Sequence, residues 1–576
     1  MIPLADELAL LVTEALNTAF SNTVVTGLEV KKTTDPKFGD YQTECAMTLA
    51  RSLKKNPLDI AGTIAAAIKT DGPIEKAEAV RPGFINLTIR TEFLEKKAKE
   101  CVAGLAEYAR QRLSGTRIVI DYSSPNIAKT MHIGHFRATI VGNALYRILK
   151  FLGAGIISDN HLGDWGTQFG KLIVAYSLWK DDTAYAKNPI GELERLYQKF
   201  EKEKTPDLEE RARQELVKLQ QGDMANTSLW QEFISHSMAE FNRIYARLNI
   251  VFDHTYGESH YNSMLAEVVE SLLQKNIAHH DQGAVIIDTD NRYKIHGPVI
   301  VRKKDGGFSY ATTDLATIKF RIDTWAPERI IYVTDSRQQD HFKSIFAVAG
   351  EWLGLNATKP EHVWFGSIKA SDGKTFSTRE GNVIFLRELM DEAVQRARTV
   401  VEEKNPTLSQ DEKTAIAEAV GIGALKYAEL NHDLKTDTTF NWEKMLSFDG
   451  NTAPYHLYTY ARIKSVLRKY EEINGPLPVS MPIRITNETE RNLVLLADSF
   501  SGKMMYAARD LKPNHVTEYM HTLAREFNAY YNREDSVVVK EPDKAKRESR
   551  AAIYSMVSEL LKACLTILGI TPLERM

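Results

Sequence analysis

The sequence predicts a multidomain α/β plus all-α chain: an N-terminal α/β domain, a parallel-sheet domain with a helical insertion, and a C-terminal helical bundle. Three observations predict it. Short β-branched runs alternate with helical periodicity from RIVIDY (117–122) to EHVWFGSI (361–368), the pattern of strands joined by helical crossovers. Strand patterning then stops near residue 383, and helical spacing alone continues. Finally, 576 residues exceed what one hydrophobic core serves. The expected divisions are 1–110, 111–383 with an insertion at about 185–280, and 384–576.

Hydrophobic content of 43% and charged content of 26% are those of a soluble globular protein. The net charge of −3 excludes whole-molecule basicity as a basis for nucleic-acid binding but leaves room for local basic faces. Cys45, Cys101 and Cys564 are widely spaced, so neither a structural zinc nor a disulfide framework is expected. The first residues carry Asp6, Glu7 and Glu14 without a basic stretch, and no apolar run is long enough for a bilayer. No signal peptide and no membrane partner are expected, and the cytoplasm is the expected compartment.

Leu4, Leu8, Leu11, Val12, Ala15 and Leu16 form one helical face. Residues 39–53 start a second helix, 61–68 belong to a third, and PGFINLTI (82–89) alternates like a strand. Lys31, Lys32, Lys37 and Arg81 could meet phosphates or simply line a solvated face. Next, RIVIDY leads through the polar turn SSPNIAKT into a helix marked by Phe136, Ile140, Val141, Leu145, Ile148, Leu149 and Leu152. His132, Gly134 and His135 stand at its start. Unpaired N–H groups and the helix dipole favour a phosphate there. Gly134 admits a close nucleotide, and both histidines can donate hydrogen bonds.

GIISDN (155–160) reads as a strand ending in the loop HLGDWGTQFG, a place where open α/β sheets bind ligands. Residues 190–248 are a helical insertion with no chemistry assigned. AVIID (284–288), PVIVR (298–302) and RIIYVTD (329–335) are expected to resume the sheet. Between the last two, Tyr310 and Asp314 share a helix face, which suits a cationic substrate or, more plainly, a packed helix start. Gln338 and His341 follow a strand end. Loop 369–383 carries Lys369, Lys374, Ser377, Thr378 and Arg379, and such loops can close over a polyphosphate. Helices are expected over 386–403, 410–431, 441–470, 486–511, 514–533 and 544–569, with Asn514 capping the fifth. Arg462, Lys464, Arg468 and Lys469 near Tyr455, Tyr458 and Tyr460 suit RNA or a solvated face.

Taken together, these segments resemble the arginyl-tRNA synthetases, a class I family, over essentially the whole chain. SSPNIAKTMHIGH (123–135) is similar to the extended HIGH motif, and HLGDWGTQFG, YATTDLAT, DSRQQDHF and PLERM (572–576) follow in the family's order. The resemblance implies a Rossmann-like catalytic domain, an N-terminal additional domain at the tRNA's outer corner, and a C-terminal anticodon-binding domain. It implies activation of L-arginine with ATP and Mg²⁺, transfer to tRNA-Arg, and activation that requires bound tRNA. A monomer is the default.

Residue by residue, the resemblance puts His132, Gly134 and His135 on ATP, with Lys374, Ser377, Thr378 and Arg379 from the loop. Ser124, Pro125, Asn126, Gln338 and His135 meet the amino-acid backbone; Tyr310 and Asp314 meet the guanidinium, with Asp121 as a second carboxylate. Tyr458, Arg462 and Met576 lie near the anticodon. The second class I motif, KMSKS, is altered: Thr375-Phe376-Ser377-Thr378-Arg379 stands in its place, and its second lysine is Thr378. Lys129, assisted by Lys374 or Arg379 from the loop, is expected to supply the missing charge. The competing readings are a catalytically silent tRNA-binding paralogue and another HxGH adenylyltransferase.

Overall fold

The computed structural model describes residues 3–21, 27–33, 35–369, 384–477 and 482–576. An α/β region comes first, then a parallel sheet with helical crossovers, then helices almost alone. In the first region, Lys31–Lys32, Tyr41–Thr43, Phe84–Ile89 and Ile74–Val80 form an antiparallel sheet in that order. The Leu4–Ala19 helix buries Leu4, Leu8, Val12, Ala15 and Leu16. Two details depart from expectation. Tyr41–Thr43 is a strand, and the second helix begins only at Cys45. Ile74–Val80 escaped notice because it is an edge strand with Glu75 and Lys76 exposed, so it lacks an apolar signature. The region docks on the C-terminal helices through a two-pronged Arg491–Asp40 pair, at 2.9 and 2.6 Å.

The site is positioned by four parallel strands: β1 (Arg117–Asp121), β2 (Gly155–Asp159), β3 (Arg329–Asp335) and β4 (Lys359–Phe365). Their order is β4-β3-β1-β2. The register sets Asp121 beside both Asp159 and Tyr332. From β1 the chain crosses to β2 on one side and later returns to β3 on the other. The crevice at the carboxyl ends of β1 and β3 is therefore the switch point where open sheets bind ligands. The Ile133–Phe151 helix lies against β1 so closely that a Cβ on Gly142 would stand 2.2 Å from the Tyr122 Cβ.

AVIID and PVIVR do not resume this sheet. Ala284–Ile287 and Val299–Arg302 join His279–Asp281 in a separate three-stranded antiparallel sheet. A short turn at Gln282 and Gly283, both with positive φ, pairs the first two strands locally. Apolar content cannot distinguish such a hairpin from a strand in the parallel sheet.

In the helical half, the expected 441–470 helix is broken. Trp442–Met445 is a short turn of helix, and Ala453–Asn474 starts afresh from the Thr452 cap after Gly450, whose φ is +83°. Asn514 is not a cap either. Pro513 occupies that position, and the Asn514 amide donates to Glu518 at 2.9 Å. Among the described residues no helix is long and apolar enough to cross a membrane. Gly142→Ala should overpack the β1–helix contact at a cost of about 1–3 kcal/mol, read as a lower thermal midpoint.

Candidate active site

The polar turn after β1 holds unusual backbone. Ser123, Ser124 and Ala128 have φ of +76°, +48° and +61°, a region that costs non-glycine residues on the order of 1–3 kcal/mol each. Surrounding bonds hold it there. The Ser124 N–H donates to Asn160 Oδ1 at 3.0 Å, and Ser123 Oγ lies 2.8 Å from the Tyr245 hydroxyl. The Ala128 N–H donates to Ser237 Oγ at 2.9 Å, and the Thr130 hydroxyl to Glu194 at 2.7 Å. Glu194, Ser237 and Tyr245 all belong to the helical insertion. That segment, expected to lack chemistry, braces the site.

His132 is the N-cap of the Ile133–Phe151 helix and His135 its third residue, and the two form a reciprocal capping box. The Gly134 N–H donates to His132 Nδ1 at 3.1 Å, and the His132 N–H to His135 Nδ1 at 3.2 Å. With each Nδ1 accepting, each Nε2 carries the proton and is the donor left for a ligand. Burial, then the neighbouring His132 and Lys129, hold His135 down to about 3; burial, Lys129 and Arg337 lower His132. Both rings are neutral donors at pH 7. The expectation of free backbone N–H groups needs correction. Those of Ile133, Gly134 and His135 all have acceptors, on Ile384 O, His132 Nδ1 and His132 O. What this helix start offers an anion is therefore the histidine Nε2–H groups and the helix dipole. A Cβ on Gly134 would press the His132 ring at 2.9 Å.

Across the crevice the charge is negative. Tyr310 opens the Tyr310–Trp325 helix and is 69% exposed, and Asp314 on the same face bonds His341 Nε2 at 2.6 Å. Burial lowers the His341 imidazole, but the Asp314 bond and charge outweigh that and raise it. Glu258 is the residue that the sequence reading missed. Among the described residues no cation or hydrogen-bond donor is recorded against its carboxylate. Burial, then Asp314 and Asp164, push it up to about 8. It lies 52 residues before Tyr310 in a segment without periodicity, and no local signal marks it.

The structure brings Ser124, Pro125, Asn126, Lys129, His132, Gly134 and His135 together after β1, and Gln338 to the end of β3. It moves Asp121 out of the substrate role. Asp121 is 5% exposed, with one oxygen accepting from Ser124 Oγ at 3.0 Å and the other from Arg321 at 2.6 Å. Arg337 is a further unforeseen cation, exposed and near enough to act on His132. Lys374, Ser377, Thr378 and Arg379 lie outside the described residues. The flanks of that segment are seated: Ile368–Lys369 pairs with Thr438–Thr439, Lys369 meets Asp437 at 2.8 Å, and Ile384 and Leu386 bond to Ile133 and Met131.

Tyr458, Arg462 and Met576 line one cavity of about 620 Å³ between the C-terminal helices. The Arg462 guanidinium lies over the Tyr458 and Tyr531 rings, at 4.7 and 4.8 Å. Lys464 and Arg468 are drawn instead to Glu574. Among the described residues no group of three or more His, Cys, Asp or Glu is placed to hold a metal.

Comparison with known proteins finds relatives along nearly the whole chain. The family profile described as tRNA synthetases class I (R), catalytic domain, matches residues 101–442. An arginyl tRNA synthetase N terminal domain matches 6–89, and a DALR anticodon binding domain matches 456–576. An arginine–tRNA ligase of Fusobacterium nucleatum is 45% identical over 559 residues, 97% of each chain. The arginyl-tRNA synthetase structures of Plasmodium falciparum and Thermus thermophilus superpose with TM-scores of 0.84 and 0.83, at 26% and 25% identity, covering 100% of both chains.

The raised Glu258 carboxyl has a consequence for stability. Its folded form keeps a proton up to about pH 8 that the unfolded chain loses near its ordinary value of 4.5. Stability of the empty protein therefore falls as pH rises between those values. Glu258→Gln should give a higher thermal midpoint than the parent at pH 8.5 and little difference at pH 4.5.

Proposed function

The chain belongs to the class I arginyl-tRNA synthetase family, and on that premise we propose that the crevice between β1 and β3 joins L-arginine to tRNA-Arg. The arginine carboxylate attacks the α-phosphate of ATP and releases pyrophosphate. The arginyl group then passes from the adenylate to a ribose hydroxyl of the tRNA's terminal adenosine, the 2′ in class I, and AMP leaves. The observation that carries this reading is Glu258, a half-buried carboxylate with no cation recorded against it among the described residues, close enough to Asp314 and Tyr310 for their charges to act on one another. Two carboxylates and a phenol match a planar guanidinium with its five donors. A site with such polar groups rejects an analogue lacking the fork by about 10⁴ or more, so no editing domain is needed.

On the opposite wall, His132 and His135 donate through Nε2–H to the phosphates as charge builds in the in-line transition state. Lys129 supplies the fixed positive charge there, and Mg²⁺ enters with the triphosphate as part of the substrate. Ser124, Pro125, Asn126 and Gln338 hold the amino-acid backbone. Residues 1–110 meet the tRNA's outer corner, 111–383 carry the chemistry, and 384–576 read the anticodon, with Tyr458, Arg462 and Met576 at its loop. Lys374, Ser377, Thr378 and Arg379 complete the ATP side. The enzyme works as a monomer in the cytoplasm and activates arginine only with tRNA bound. Full-length likeness leaves no room for a small single-domain adenylyltransferase.

Charging of total tRNA with each amino acid in turn tests the reading. Only arginine should be attached, and His132→Ala should lower the rate by about 100-fold or more. No charging with any amino acid would favour a silent paralogue. Glu258→Gln should raise the KM for arginine by about 30-fold or more and change that for ATP far less. In the parent enzyme, arginine KM should fall as pH rises from 6.5 towards 9. Below about 8 the Glu258 acid must release its proton before it can meet a guanidinium. Arginine-dependent ATP–pyrophosphate exchange at full rate without tRNA would contradict the tRNA requirement.

A further inference from the structure

We propose that Tyr197, on the helical insertion, is a positioning residue for Lys129, its ring face holding the ammonium beside His132 and His135. This rests on the reading of Lys129 as the cation that meets the ATP phosphates. Lys129 Nζ lies 5.3 Å from the centroid of the Tyr197 ring. Tyr197 belongs to the Pro189–Glu203 helix, whose Leu193, Leu196 and Phe200 are fully buried. Glu194 and Tyr197 are three apart on the other face, and they meet consecutive residues: Glu194 takes the Thr130 hydroxyl at 2.7 Å, while Tyr197 takes the Lys129 ammonium. The helix thus grips the 129–130 dipeptide at two points.

The kind of partner matters. Lys171 and Lys180 also lie over rings, yet each is paired with a carboxylate, Glu201 and Asp182. For Lys129 no carboxylate is recorded among the described residues. A carboxylate would neutralise the charge that a polyphosphate needs. An aromatic face attracts the ammonium through its quadrupole and leaves the full charge in place. It also limits a four-carbon stem that otherwise loses rotamer freedom when a ligand fixes it.

The test is arginylation kinetics on full-length enzyme with tRNA present, varying ATP. Lys129→Ala should raise the KM for ATP. Tyr197→Leu should raise it about three- to tenfold, and Tyr197→Phe, which keeps the ring, should recover it to within about twofold. Adding Tyr197→Leu to Lys129→Ala should change the KM for ATP no further, because the ring then has no ammonium to hold. A Phe variant as impaired as Leu, or independent effects in the double variant, would overturn the proposal. If Lys129→Ala leaves ATP kinetics unaltered, the reading of Lys129 itself fails, and this inference falls with it. Should Tyr197→Leu not fold, phenylalanines with increasing ring fluorination at 197 preserve shape while weakening the ring face. A KM for ATP that climbs with fluorine content supports the proposal, and a flat series sinks it.

Discussion

One buried guanidinium joins three of the segments that form the site. Arg321 is 0% exposed, and its Nη2 donates to Asp121 at 2.6 Å and to Asp159 at 2.7 Å. Asp121 ends β1 and accepts from the Ser124 hydroxyl in the strained turn. Asp159 ends β2, and the segment beside it, bridged at His254, continues to Glu258. Arg321 itself lies on the helix that begins with Tyr310 and Asp314. Burial of these charges is costly in itself, and their mutual attraction only offsets it. Loss of one member would leave a buried charge uncompensated, at about 3–5 kcal/mol. What the triad provides is registry: three loops from distant parts of the chain meet at one point.

Above that point the crevice separates charge. One wall has Lys129, two neutral histidines and Arg337; the other has Glu258, Asp314 and Tyr310. On the acidic wall, burial and the neighbouring Asp314 and Asp164 push the Glu258 carboxyl up, and a cation is the chemistry that would relieve it. The histidines are kept neutral by burial and by nearby cations, so they donate hydrogen bonds without adding to a field already positive. The left-handed turn at Ser123, Ser124 and Ala128 is tolerated because the insertion and the β2 loop bond it from outside. Site geometry is thus supported by bonds from elements remote from the turn in sequence.

Much of this was legible in the chain. The strand–turn–HxGH–helix order depends on neighbours in sequence, and so do the paired Tyr310 and Asp314 and the run of C-terminal helices. Errors arose where the deciding partner was remote. Asp121 looked like a free carboxylate because Arg321 is 200 residues away. AVIID and PVIVR looked like parallel strands because composition does not report which edge a strand joins. The insertion looked inert because its contacts with the site, through Glu194, Tyr197, Ser237 and Tyr245, are scattered side chains on otherwise ordinary amphipathic helices.

The sequence by itself determined the class of architecture, the HxGH helix start and the shared helix face of Tyr310 and Asp314. Local periodicity and residue chemistry suffice for these. Only the tertiary structure decided that Asp121 is paired with Arg321 while no cation is recorded against Glu258 among the described residues, which histidine nitrogens carry the protons, and that Tyr197 lies under Lys129. Each of those depends on burial and on hydrogen-bond partners brought together from separate elements. Whether a charged group is spent or available is settled by what packs against it, and no local pattern encodes that.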